Sequence, residues 1–142
     1  MFIAYTSRCD HGFLGIEVKY AETMSGKVAR HRARYDEVAH AMECFISESL
    51  SKLRQKPLEQ FWRNHLLVGR LALDPASGFK EGTFVVLYPT KNTDVRCAAG
   101  LYRDCLCNEA TFKTWTLESV LDALVDAGGG PWVQNAKERY LG

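Results

Sequence analysis

A chain of 142 residues, 46% hydrophobic and 11% aromatic, has the length of one domain and enough apolar side chains for a core, which excludes an intrinsically disordered protein. Its 18 basic and 17 acidic residues leave a formal net charge of +1, so any phosphate contact must come from a local patch and not from the total. Five cysteines without framework-like spacing fit the reduced thiols of a cytoplasmic protein better than disulfides.

"MFIAY" (1–5) predicts a short strand, "TSRCDHG" (6–12) a turn closed by Gly12, and "FLGIEVKY" (13–20) a second strand, so residues 1–20 read as a β-hairpin. Alternation along the second strand puts Leu14, Ile16, Val18 and Tyr20 on an apolar face suited to a core. Phe13, Gly15, Glu17 and Lys19 share the other face, with little that is bulky around the charged pair. Residues 21–34 are polar and basic and read as a loop. From 35 to 53, Val38, Met42, Phe45, Ile46 and Leu53 recur at helical spacing, and Pro57 ends that helix.

The next helix, "LEQFWRNHLLVGRLAL" (58–73), carries Leu58, Trp62, His65, Leu66 and Gly69 along one stripe, where His65 reads as a packed histidine. After turn-rich residues 75–82, "TFVVLYPT" (83–90) is continuously apolar, the mark of a strand covered on both faces. "TDVRCAAGLYRDCLC" (93–107) predicts a helix with Thr93 or Asp94 as N-cap, and "TFKTWT" (111–116) a last strand. "TLESVLDALVDAG" (116–128) predicts a helix capped by Thr116 and ended by Gly128. "GGGP" (128–131) is a hinge before a short final helix. No run is long and apolar enough to cross a bilayer, and no signal-peptide pattern opens the chain. No repeat or internal boundary appears, so residues 1–142 read as a single α/β domain, one layer of sheet with helices on it.

Metal-assisted cleavage of phosphodiesters needs carboxylates to hold a divalent cation. It gains from a nearby ammonium that orients water and offsets phosphate charge. Glu17 and Lys19 on one strand face supply the local half of that requirement, although E-x-K also occurs as an ordinary surface ion pair. The segment "KVARHRAR" (27–34) gathers Lys27, Arg30, Arg32 and Arg34, which reads either as a solvated loop or as a sequence-independent phosphate contact. Cys105 and Cys107 with Cys9 and His11 do not match the usual zinc-ligand spacing, and residues two apart on a helix do not share a face, so no zinc site is expected.

"GIEVKYAE", "RYDEVA", "PLEQFWRNHLL", "FVVLYP", "LYRDCL", "TWTLESVLDAL" and "ERYL" together resemble the PD-(D/E)XK, restriction-endonuclease-like nuclease superfamily, and within it a bacterial group of small nuclease-like proteins. The resemblance runs along nearly the whole chain. It implies an α/β fold of a mixed sheet with flanking helices, and Mg²⁺-assisted hydrolysis of DNA, with Mn²⁺ as the substitute cation. It implies that Glu17 coordinates the metal and that Lys19 positions water or stabilises charge in the transition state. Gln60 stands where related nucleases carry a helix glutamine near the catalytic face, and Arg63 would contact phosphate. Lys27, Arg30 and Arg34 would touch the DNA backbone beside such a site.

One departure stands out. The family's aspartate on the strand before E-x-K would fall at or just before Met1, "MFIAY" contains no acid, and the fold's first helix and strand are missing. Either the chain is shortened and lacks that ligand, or Asp10 in the turn, or Glu22 after the strand, supplies a substitute carboxylate. The rival to an active nuclease is a non-catalytic remnant of the fold that binds nucleic acid or protein. A third reading, an unrelated α/β protein with an incidental E-x-K, would leave the pair in open solvent away from Gln60. Without its upstream neighbour the first strand is expected to be an exposed edge, prone to self-association.

Overall fold

The hairpin runs longer than its apolar residues suggest. In the computed structural model, which describes residues 1–7, 10–24 and 26–141, β1 (Phe2–Ser7) and β2 (Asp10–Val18) pair antiparallel from Phe2↔Gly15 to Ser7↔Asp10. Asp10 and His11 are thus strand residues and not part of a turn; Cys9 lies outside the described residues. β2 pairs in parallel with β3 (Glu81–Tyr88), and β3 in parallel with β4 (Phe112–Thr116), giving a mixed sheet of order β1-β2-β3-β4. Parallel neighbours require crossovers. α1 (Ala33–Met42), α2 (Leu50–Leu53) and α3 (Glu59–Ala72) make the first, and α4 (Thr93–Arg103) makes the second. α5 (Leu117–Asp126) and α6 (Pro131–Leu141) follow β4. Among the described residues no helix is long and apolar enough to cross a membrane.

β3 is covered on both faces, as its unbroken apolar run predicts. Phe84, Val86 and Tyr88 enter the larger core with Phe13, Phe61, Trp62, Leu66, Val95 and Tyr102. Val85 and Leu87 meet Ile16 on the other side, beneath Trp115, Leu117 and Val120. The sheet is therefore flanked by helices on both sides, and the larger core lies on the face that carries Glu17. Sequence alternation suggests the opposite face, yet Val18 and Tyr20 there are 44% and 36% exposed while Phe13 is 1% exposed. Gly15 explains the difference. A Cβ at Gly15 would come 2.5 Å from Val68 Cγ2, so its smallness is the landing site of α3 and not empty surface.

The helical spacing over 35–53 does not yield one helix. α1 stops at Met42, and Glu43 turns left-handed at φ 51° with its N–H on the His40 carbonyl. Phe45 then forms an isolated antiparallel bridge with Leu106, framed by Ile46 N–H to Cys105 O at 2.9 Å and Cys107 N–H to Cys44 O at 3.0 Å. A long-range backbone contact overrides local helix periodicity here. α4 is capped one residue earlier than expected, by the Asn92 side chain accepting from the Val95 N–H. That helix ends at Arg103, so Cys105 and Cys107 lie beyond it and not on one of its faces. Thr116 caps α5 as its sequence predicts, accepting from the Ser119 N–H, and Gly128 with φ 80° follows its end. β1 is a sheet edge, with Phe2 52% and Ile3 44% exposed.

Candidate active site

Two periodicities mesh to build the site. Along β2, residues 15, 17 and 19 point to one face at a spacing of about 6.6 Å. Along α3, residues 60, 64 and 68 point to one face at a spacing of about 6.0 Å. Running in opposite directions, the two rows meet pairwise: Val68 covers Gly15, Asn64 reaches Glu17, and Gln60 reaches Lys19 and Glu17. The close approach that Gly15 allows therefore brings two amides over the charged pair. Asn92 fixes the strand end from the other side, its side-chain amide donating to the carbonyls of Lys19 and Tyr20 at 3.3 Å while its oxygen caps α4.

Glu17 Oε1 accepts from Gln60 Nε2 at 2.7 Å and pairs with Lys19 Nζ at 3.0 Å, and Oε2 accepts from Asn64 Nδ2 at 2.6 Å. Lys19 Nζ also donates to Gln60 Oε1 at 3.0 Å. These partners fix the Gln60 amide with its oxygen on the ammonium and its nitrogen on the carboxylate. The side chains of Lys19 and Glu17 are 8% and 12% exposed, so the pair is neither solvated nor sealed. A carboxylate offers about four lone-pair positions and an ammonium three N–H donors. The contacts described occupy both positions on Oε1 and one on Oε2, leaving one lone pair of Glu17 and one N–H of Lys19 unused. An incidental surface E-x-K would not lie within 3.0 Å of Gln60.

Arg63, three residues from Gln60, does not face this cluster. It pairs with Glu59 at 3.3 Å and points instead into a groove of ≈ 460 Å³ between α1 and α3, where Arg32, Arg34 and Arg70 join it. Lys27 and Arg30 are exposed and do not line that groove. A second groove of ≈ 520 Å³ runs past Met1, Gly15, Glu17 and Val68, and the two share Asn64 and Leu67. Asp10 begins β2, seven residues and roughly 23 Å along the strand from Glu17, so it cannot share an ion with Glu17. Glu22 is exposed; hydrogen bonds from its own and neighbouring backbone N–H groups, with a smaller contribution from the Lys19 charge, hold its carboxyl below the usual range. Among the described residues no group of three or more His, Cys, Asp or Glu side chains is placed to hold a metal ion.

The model of the PD-(D/E)XK nuclease superfamily matches this sequence over residues 1–142. The chain belongs to that superfamily. Its mixed four-stranded sheet with flanking helices agrees with a restriction-endonuclease-like fold. Comparison with curated proteins and with solved structures finds no significant match. Within this nuclease fold, Asn64 is the member of the cluster that sequence reasoning passes over. The available signal was its i+4 relation to Gln60, which fixes a shared face more securely than the i+3 relation of Arg63.

Proposed function

We propose that the chain hydrolyses phosphodiester bonds of DNA, assisted by Mg²⁺ or by Mn²⁺ in its place. The observation that carries this reading is the paired grip of Gln60 and Asn64 on Glu17, which lines an open groove and keeps one lone pair of Oε2 unused, with Lys19 and its remaining N–H held beside it. The residues fit a divalent cation only in part: Glu17 would supply one oxygen, and phosphate oxygens of the substrate would have to complete the shell, as magnesium commonly requires. Bound there, the cation supplies neutralisation of phosphate charge and acidification of water. Gln60 and Asn64 orient the Glu17 carboxylate, and the free N–H of Lys19 orients water or a phosphate oxygen as negative charge develops. The arginine groove draws in the anionic backbone.

The test is nicking of supercoiled plasmid with Mg²⁺ or Mn²⁺, beside chelator and beside Glu17→Ala. The reading expects chelator-sensitive cutting that falls by about 10³-fold in Glu17→Ala. Cutting retained in that variant would sink it. A second reading, a module that binds nucleic acid or protein without cutting, is favoured by a different observation: Glu17 is the one carboxylate hydrogen-bonded within the cluster. DNA bound but uncut by the wild-type chain under both cations decides for that module.

A further inference from the structure

We infer that the two grooves form one track for a single strand of nucleic acid, with its backbone on Arg32, Arg34, Arg63 and Arg70 and its bases against Leu67 and its apolar neighbours. The inference rests on the reading of Glu17 as the cleavage site and names the form of substrate delivered to it. Charge is the first support. Four arginines line the groove against one carboxylate of its own, Glu37. Among the described residues Arg32, Arg34 and Arg70 have no ion-pair partner, while Arg63 is held by the buried Glu59. Arg32 and Arg34 come from the start of α1, and Arg63 and Arg70 lie seven residues apart on α3, so the cations flank the groove from two elements.

The second support is that this cationic groove has an apolar floor. Val38, Leu66 and Leu67 lie between the arginines, and Tyr35 stands at its wall. Leu67 is 69% exposed although it sits on a helix that buries Phe61, Trp62, Leu66 and Val68. Past Asn64 the second groove keeps an apolar lining beside Glu17, from Leu67, Val68 and Phe84, with Met1 72% exposed at its rim. A duplex turns its phosphates outward and keeps its bases stacked, so it gains from arginines and little from an apolar floor. A strand with unstacked bases gains from both.

The experiment is fluorescence anisotropy with a labelled strand of about 15 nucleotides, alone and as its duplex, in chelator so that nothing is cut. The single strand should bind at least tenfold tighter than the duplex. Leu67→Ser should weaken the single strand about fivefold and leave the duplex unchanged. Arg70→Gln should weaken both and reduce the salt slope for the single strand by about 0.7. Both side chains are solvent-facing, and thermal melts verify that the variants fold. Equal or tighter duplex binding overturns the inference, as does single-strand affinity indifferent to both substitutions. Single strand bound with this pattern but never cut, with either cation, refutes the cleavage reading alone. Duplex cut without any single-strand preference refutes the track alone.

Discussion

Asn64 and His65 are neighbours on α3 and serve two polar clusters of opposite character. Asn64 turns to Glu17 at the mouth of two grooves. His65, one helical step of about 100° away, is 0% exposed and lies among Phe45, Phe84 and Phe112. Its Nδ1 meets the Tyr102 hydroxyl and its Nε2 the Thr111 hydroxyl, each at 2.9 Å. Both ring nitrogens are satisfied, and burial pushes its pKa down to about 4. The Glu17 cluster uses the same kinds of bond but leaves a lone pair and an N–H over, with Glu17 and Asn64 lining an open groove. A complete buried network fixes a core, whereas an incomplete one at the surface retains capacity for a ligand.

Lys19→Met tests the open cluster most severely. The carboxylate keeps its two amide donors but it and Gln60 Oε1 lose the ammonium, so the melting temperature should drop by roughly ten degrees, while cleavage by the folded fraction should fall by about 10³-fold. A collapse of stability with no change in the rate of cutting by the folded fraction would erase the contrast, because Lys19 would then be a structural cation.

His65→Leu probes the closed cluster in the opposite sense. It leaves the Tyr102 and Thr111 hydroxyls without their nitrogen partners, so stability should drop by about 2–4 kcal/mol in a denaturant titration, with cleavage by the folded fraction preserved. Acid sharpens the same point. As pH falls below 6.5, the ordinary histidine value, the unfolded chain takes up a proton that the folded chain refuses down to about 4. Stability therefore declines across that window by up to ~3 kcal/mol and is fully lost from this source below it. The variant should lack this component. Parallel stability–pH curves for wild type and His65→Leu would show that the histidine is not buried neutral.

The fate of individual residues shows what sequence patterns can carry. The apolar run at Phe84–Leu87, the Thr116 cap and the histidine on the apolar stripe are local signals, and each appears where expected. The break after Met42 was not legible, since it depends on Phe45 meeting Leu106, 61 residues away. Gly15 misleads because a missing side chain reads as space, while in the fold it is where Val68 sits. Glu17, Lys19 and Gln60 were nameable from the family pattern, but the hydrogen bonds among them arise only when α3 lies antiparallel across β2. Arg70 enters the basic groove because α1 brings Arg32 and Arg34 to it, a juxtaposition that no single segment encodes.

The smallest expected effect concerns the cation and the fold. Lys19 already compensates Glu17 at 3.0 Å, and Gln60 and Asn64 supply the remaining contacts, so folding does not depend on an added charge. With one protein oxygen to offer, the chain alone should bind Mg²⁺ only weakly, and stabilisation by a ligand vanishes as its concentration falls below Kd. The melting temperature should then agree within about 1 °C between chelator and a few millimolar Mg²⁺. In the presence of an oligonucleotide, whose phosphate oxygens complete the shell, Mg²⁺ should raise it beyond the effect of the oligonucleotide alone. A shift of several degrees from Mg²⁺ alone, absent in Glu17→Ala, would mean that a second protein oxygen joins Glu17. Its carboxylate would then have to come from a residue outside the cluster of Glu17, Lys19, Gln60 and Asn64, and Glu22, whose carboxyl already feels the Lys19 charge, is the first to substitute.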